Sequence, residues 1–296
     1  MEKNFKVKNK KIVIFSHDAG GAQILSSYLH SKNLLNVYGL CEGPAIKIFR
    51  EKKIKIKKIS IREAIKSGAI FFTTTSWKSS LEKNAMKNLF TNNKKFITFI
   101  DHWVHFKKRF EKKYLPTEIW SFDKQSYLKS KKIFSKVKIK LKKNFFHEYA
   151  LKKISSFKRN SNYKYNFLYL TEPISDLYLK LYNKKIKISE LDALNFFLKK
   201  CKSKKIAITI RVHPNDNIIK YKQIIKKFNK LNIKFDNKTS IYRQLAKNYN
   251  IVSYQSSILN LAYKNKNRVL TSTLNKKIKI HYLKKDNQYI YNYDRF

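Results

Sequence analysis

Two short segments in the second half of the chain combine residue types that can hold a phosphate. Arg211-Val212-His213-Pro214 follows the apolar run 206–210, and Ser253-Tyr254-Gln255-Ser256-Ser257 follows Ile251-Val252. Each also precedes a helical pattern. An Arg, a His and paired hydroxyls are thereby expected at the C-terminal edge of a sheet, beside helix N-termini. Open α/β folds bind ligands in that crevice, and helix N-termini there favour phosphate. A departing nucleotide needs its developing charge stabilised. His213, Ser256, Ser257 and helix N–H groups can do that without a metal, with Arg211 adding charge. The chain contains no Asp-x-Asp, so a metal–diphosphate clamp has little support. Taken singly, His213 is an ordinary loop residue and Ser256 an N-cap. Their equivalent places at two strand ends argue against coincidence.

The first half offers further candidates. Ser16-His17-Asp18-Ala19-Gly20-Gly21 follows the first apolar run. Asp18 at a strand–helix turn can take a proton from a hydroxyl. It can equally cap the next helix, with Gly20 and Gly21 merely making the turn. The glycines lack the G-x-G-x-x-G spacing of a dinucleotide site. Glu42-Gly43-Pro44 reads as ordinary turn chemistry. Thr75-Ser76-Trp77 leads to a helix carrying Glu82; Ser76 suits its N-cap, and Trp77 either stacks on a sugar or packs in the core. Asp101-His102-Trp103-Val104-His105 gathers titratable and aromatic groups after a buried strand. Its spacing is poor for a metal. A sugar-binding or acid/base role stands beside the alternative of a buried Asp–His pair that orients a loop. Thr171-Glu172-Pro173 ends the first strand of the second half, where Glu172 can receive ribose hydroxyls.

Positioning these groups requires a regular scaffold, and the hydrophobic pattern supplies one. Strands are expected at 11–15, 36–40, 69–73, 96–100 and 118–122, with helices at 22–31, 61–66 and 79–90. A second alternation places strands at 166–170, 205–210, 233–235, 251–252 and 268–270. Helices at 191–202, 218–230, 240–247 and 257–264 separate them. Strands alternating with helices mean parallel sheets. The expected fold is α/β, with two Rossmann-like domains facing across a cleft. The N-terminal domain covers 1–135 and the nucleotide-binding domain 165–275. The Lys-dense and polar stretch 136–164 reads as the connection, and 276–296 as a tail packing back across the domains.

Composition bounds the partners. The 67 Lys and Arg against 19 Asp and Glu give a formal charge of +48. Clustered cations can neutralise nucleic-acid phosphates or meet an anionic membrane face. The cations are overwhelmingly Lys, though, and accompany many Ile, Asn, Phe and Tyr with only 5 Gly and 4 Pro. An A/T-rich genome produces that whole profile, so a solvated Lys surface is the default; no specific nucleic acid is expected. Cys41 and Cys201 lie outside any CxxC spacing, which argues against a disulfide framework or zinc and suits a reducing cytosol. The apolar run 12–15 is too short for a signal peptide, and no stretch approaches the ~20 residues of a membrane span. A cytoplasmic protein, at most peripheral on a membrane, is expected.

Taken in order, these motifs carry a resemblance. His213-Pro214 followed by Ser256-Ser257 in a C-terminal Rossmann-like domain looks like bacterial sialyltransferases and related CMP-sugar transferases of GT-B architecture. The N-terminal His17-Asp18-Ala19-Gly20-Gly21, Thr75-Ser76-Trp77, Asp101-His102-Trp103 and Arg109-Phe110 are similar to proteins of bacterial surface-polysaccharide loci, some near polysialyltransferases. The resemblance spans most of residues 11–272. It implies that His213, Ser256 and Ser257 contact the CMP phosphate. The family's acidic-acidic-Gly base motif is matched only by Asp18-Ala19-Gly20, with Ala in the second acidic place, and Asp101 is the reserve base. The expectation is a metal-independent inverting glycosyltransferase with a CMP-sugar as donor substrate and no cofactor. Its acceptor, a glycan or lipid-linked glycan, would meet His17, Gly20, Gly21, Trp77, His102 and Trp103. A His-Pro with a comparable Ser-Ser segment also occurs in CDP-glycerol glycerophosphotransferases. A glycerophosphotransferase or a UDP-sugar epimerase on the same scaffold, or a non-catalytic nucleic-acid-binding protein, are the alternatives.

Overall fold

The computed structural model describes residues 11–76, 79–101, 106–158, 165–202, 205–254 and 256–272. The chain divides into two compact units, residues 1–149 and 150–296. The first is built from β1 (Ile12–Ser16), α1 (Ala19–Ser31), β2 (Asn36–Cys41), α2 (Pro44–Glu51), β3 (Lys55–Lys58), α3 (Ile61–Lys66) and β4 (Ile70–Thr73). There follow α4 (Leu81–Thr91), β5 (Phe96–Ile100), the short α5 (Phe106–Arg109), β6 (Glu118–Ser121), α6 (Lys124–Ile133), β7 (Lys138–Leu141) and the start of α7 (Phe145–Ser155), the helix in which the division falls. Its seven strands form one sheet in the order β3-β2-β1-β4-β5-β6-β7, and every pairing is parallel.

β1 and β5 are buried along their whole length. A parallel strand covered on both faces must be apolar throughout, which explains IVIF and FITFI. Side chains of alternate residues then feed opposite layers. Ile12 and Ile14 join a cluster with Leu25, Phe72 and Trp120, whereas Val13 and Phe15 join Phe71, Met86 and Ile100. The edge strands β3, with sequence KIKK, and β7, with sequence KIKL, interleave lysine with aliphatics. Lysine on an edge strand discourages pairing with another chain. The stretch expected to be a connection from 136 therefore contributes β7 and α7, and Lys138 and Lys140 belong to a sheet edge. The expected tail, 276–296, lies outside the described residues.

The second unit contains β8 (Asn166–Leu170), α8 (Ile174–Tyr182), α9 (Glu190–Cys201), β9 (Ala207–Arg211), α10 (Ile218–Ile225) with a 3-10 turn after it, and β10 (Asn232–Phe235). α11 (Ile241–Lys247), β11 (Asn250–Ser253), α12 (Ile258–Lys264) and β12 (Arg268–Thr271) complete it. Its parallel sheet has the order β10-β9-β8-β11-β12. Local chemistry starts the helices where they start. Ser189 and Asp192 form a capping box on α9, Asn217 caps α10, and Ser240 caps α11. The core gathers Phe167, Tyr169, Leu194, Phe197, Ile208 and Tyr221.

Both sheets are doubly wound: the order runs outward from β1 and from β8 in one direction, then reverses. The reversal falls between β1 and β4 in the first sheet and between β8 and β11 in the second. The carboxyl ends of these strand pairs open the crevice where such folds bind ligands. Among the described residues no helix is long and apolar enough to cross a membrane.

Candidate functional site

The β1/β4 crevice is lined by the segments after those two strands. Asp18 stands at the N-cap position of α1 but makes no side-chain cap hydrogen bond. Its carboxylate instead receives His17 Nδ1 at 2.8 Å, and both side chains are half-buried. The His17 backbone N–H donates to Glu82 Oε1 at 2.8 Å, and the Thr74 hydroxyl donates to the same oxygen at 3.0 Å. Glu82 is fully buried, and its Oε2 has no hydrogen-bond partner. Burial raises its pKa above the ordinary carboxylate range, against the pull of its hydrogen bonds. Beside it, burial pushes the Cys41 thiol up to about 12, so that cysteine is no ready nucleophile.

Asp101, at the end of β5, turns toward the same rim. Its Oδ1 accepts from Arg109 at 2.9 Å, and Arg109 also donates to the Thr75 hydroxyl and carbonyl. Gly20 is packed against its other oxygen, and Gly21 against Thr74. Gly43, with φ of +52°, lies against the His17 ring. Gly20 and Gly21 thus serve close approach between α1 and the strand ends, and Gly43 does the same between the start of α2 and His17. Trp77, His102 and Trp103 lie outside the described residues.

In the second unit the rim is tied together by hydrogen bonds from three strands. Thr171 Oγ1, after β8, accepts the backbone N–H of His213 at 2.9 Å, after β9. The Ser253 hydroxyl, at the end of β11, lies 2.8 Å from the Leu170 carbonyl and 3.3 Å from Glu172 Oε2. Pro214 sits second in a turn closed by Asp216 N–H onto the His213 carbonyl at 2.9 Å; its locked φ suits that place. Asn215 N–H donates to His213 Nδ1 at 3.2 Å. Nδ1 is therefore an acceptor, and the neutral ring carries its proton on Nε2. His213 is exposed. Ser256 caps the last described helix through Oγ and Ile258 N–H at 3.3 Å, while Ser257 holds the N-cap position without a side-chain cap.

Arg211 has different engagements from those expected. Its NH1 donates to the Thr239 carbonyl at 2.6 Å and to Gln244 at 2.8 Å, so it fastens the β10–α11 loop. Asn237 adds a two-way clamp on the Val212 backbone. Behind the His213 turn lies a network that single-residue reading missed. Lys220 meets Asp216, Glu190 and Asp176 at 2.7, 2.6 and 3.2 Å. Asp216 Oδ2 also accepts the hydroxyl of the buried Tyr221. Among the described residues no group of His, Cys, Asp or Glu could hold a metal ion.

No family model matches the chain, and no curated protein matches it in sequence. Solved structures do match it. The UDP-GlcNAc 2-epimerase of Neisseria meningitidis bound to UDP-GlcNAc gives a TM-score of 0.59 at 13% identity, covering 88% of this chain and 82% of that one. Anabaena HepE in complex with UDP gives 0.56 at 10% identity, with 88% and 80% covered. Acinetobacter baumannii MurG gives 0.51 at 9% identity, with 92% and 80% covered. At such identities the likeness establishes the fold: two parallel-sheet, Rossmann-like α/β units of the GT-B-like class. Two of these three proteins were solved with a uridine nucleotide, whereas the sequence motifs led to the expectation of a CMP-sugar.

Proposed function

We propose that the protein is a nucleotide-sugar enzyme whose ligand is a UDP-linked sugar, with the nucleotide seated at the carboxyl ends of β8, β9 and β11. The observation that carries this reading is the convergence of Thr171, Glu172, His213 and Ser253 at the β8/β11 reversal. There, His213 Nε2–H would donate to a phosphate oxygen, Ser256 and Ser257 would add hydroxyl donors, and Glu172 would accept ribose hydroxyls. The uridine complexes of HepE and of the Neisseria epimerase support UDP over CMP.

Epimerisation is the reaction favoured over transfer from a CMP-sugar. Inverting a sugar carbon needs a proton removed and a proton returned, chemistry that a half-buried carboxylate such as Asp18, hydrogen-bonded to His17, can perform. The decisive test is calorimetric binding of UDP, UMP, CDP and CMP to the wild type and to His213→Ala, followed by incubation with UDP-GlcNAc in deuterated water. UDP binding that weakens at least about tenfold in the variant, with deuterium entering the sugar without an acceptor, is the expected result. Acceptor-dependent release of nucleotide would move the reading to transfer. Selective CMP binding would restore a CMP-sugar donor, and absence of any nucleotide binding would overturn the proposal.

A further inference from the structure

We propose that the cluster of half-buried Lys220 with the buried Asp216 carboxylate and Tyr221 is the positioning device of the His213 turn, holding it in the geometry that receives a nucleotide phosphate. The inference rests on the nucleotide reading of that turn and adds residues which touch no ligand themselves.

The turn is short and exposed, and its exposed part offers little packing to hold it. His213 and Asn215 lie on the surface, and Pro214 fixes only one dihedral angle. What holds it from below is Asp216, whose side chain is completely buried. Its Oδ1 accepts the Asn217 N–H at 2.8 Å and the Lys220 ammonium at 2.7 Å. Its Oδ2 accepts the Tyr221 hydroxyl. The Tyr221 ring is itself part of the packed core beneath the sheet. The Asp216 backbone N–H then closes the turn onto the His213 carbonyl. A rigid chain of contacts therefore runs from core to imidazole.

Lys220 extends the device to the neighbouring strand end. It meets Glu190 at 2.6 Å, and the other Glu190 oxygen accepts the backbone N–H and hydroxyl of Ser175 at 2.9 and 2.6 Å. Ser175 lies in the first turn of α8, just after Thr171-Glu172-Pro173. One ammonium thus fixes both the loop bearing Thr171 and Glu172 and the turn bearing His213, which Thr171 already joins. Burial works against the Lys220 charge, but its bonds to Asp216 and Glu190 outweigh it and raise its pKa. The ion pair with Asp176 adds little, since that carboxylate is mostly exposed. Burying two carboxylates around one lysine is a poor way to gain stability. It is a good way to fix a unique geometry beneath two loops that must act together.

The test uses the full chain, with UDP as probe and amide hydrogen exchange as a second readout. Tyr221→Phe keeps the core ring and removes the hydroxyl's bonds to Asp216 and to Thr171, the two loops the cluster joins. The expected result is exchange at the Asn215 and Asp216 amides faster by about tenfold, with UDP affinity lower by a similar factor, measured well below the melting temperature. Lys220→Met should behave likewise and more strongly, and Lys220→Arg should recover most of the affinity. Phe197→Leu, a core change on α9, should lower the melting temperature while leaving UDP affinity unchanged. Unchanged exchange in Tyr221→Phe overturns the proposal. So does faster exchange with unchanged UDP affinity. A wild type that does not bind UDP would instead sink the nucleotide reading, and the exchange result would still decide whether the cluster anchors the turn.

Discussion

Gly20 lies directly against the carboxylate of Asp101: a Cβ at position 20 would stand 2.1 Å from Oδ2. Real atoms do not approach so closely, and the carboxylate cannot simply swing away. Its other oxygen is fixed by Arg109 at 2.9 Å. Gly20→Ala is expected to destabilise the protein by about 1–3 kcal/mol, the usual cost of overpacking. Urea unfolding would measure it. A variant as stable as the wild type would show that the Asp101–Arg109 contact yields easily.

That contact is itself nearly sealed from water, with side-chain exposures of 5% for Arg109 and 10% for Asp101. Removing one partner strands the other charge. Arg109→Met is expected to cost about 3–5 kcal/mol. Adding Asp101→Asn to that variant should recover part of the loss, because the stranded charge is gone. The double-mutant cycle is the measurement, and strictly additive losses would contradict a coupled pair.

The central strands were legible because burial on both faces leaves only apolar residues, as in 12–15, 96–100 and 166–170. β3 and β7 were hidden by the same logic in reverse. An edge strand carries lysine, and KIKK or KIKL reads as solvated linker until its neighbour is known. The strand-end positions of Asp18, Asp101, Thr171, His213 and Ser256 were legible because each lies within three residues of the end of an apolar strand. Glu82 was seen only as a helix residue. It reaches His17 across 65 positions, through the adjacency of β1 and β4, which no local pattern encodes. Lys220 illustrates the same gap, since its partners Asp176, Glu190 and Asp216 come from three separate segments. Arg211 shows that a cation at a strand end can also serve the fold itself. Its guanidinium bonds the protein's own Thr239 carbonyl and Gln244.

Glu82 gives the first pH prediction. Its folded-state pKa is raised above the ordinary value of 4.5, chiefly by burial. The native state then holds a proton that the unfolded state has released, so stability falls as pH climbs from about 4.5 through the raised folded value. Glu82→Gln removes that loss. Relative to the wild type the variant should gain stability between pH 5 and pH 8, roughly the range above ordinary carboxylate titration. Denaturant midpoints across that range would test it, and parallel pH curves for the two proteins would refute it.

Lys52 gives the second, with the opposite sign. Its side chain is buried, and the ammonium donates to Gln23 Oε1 at 2.6 Å and lies 4.9 Å from the centre of the Tyr149 ring. Neither partner carries a charge. Burial therefore dominates and lowers the pKa from 10.5 to about 8, with Glu51 opposing it weakly. Between those values the unfolded chain binds the proton and the native one does not, so stability rises with pH across that window. Lys52→Met has no such term. Its stability measured against the wild type should be most favourable near pH 7 and should decline by on the order of 2–3 kcal/mol by pH 10.5. Urea midpoints of the two proteins at pH 7, 8.5 and 10 would show the decline. A constant difference would mean that Lys52 stays charged in the folded protein, held by Gln23 and the face of Tyr149 alone.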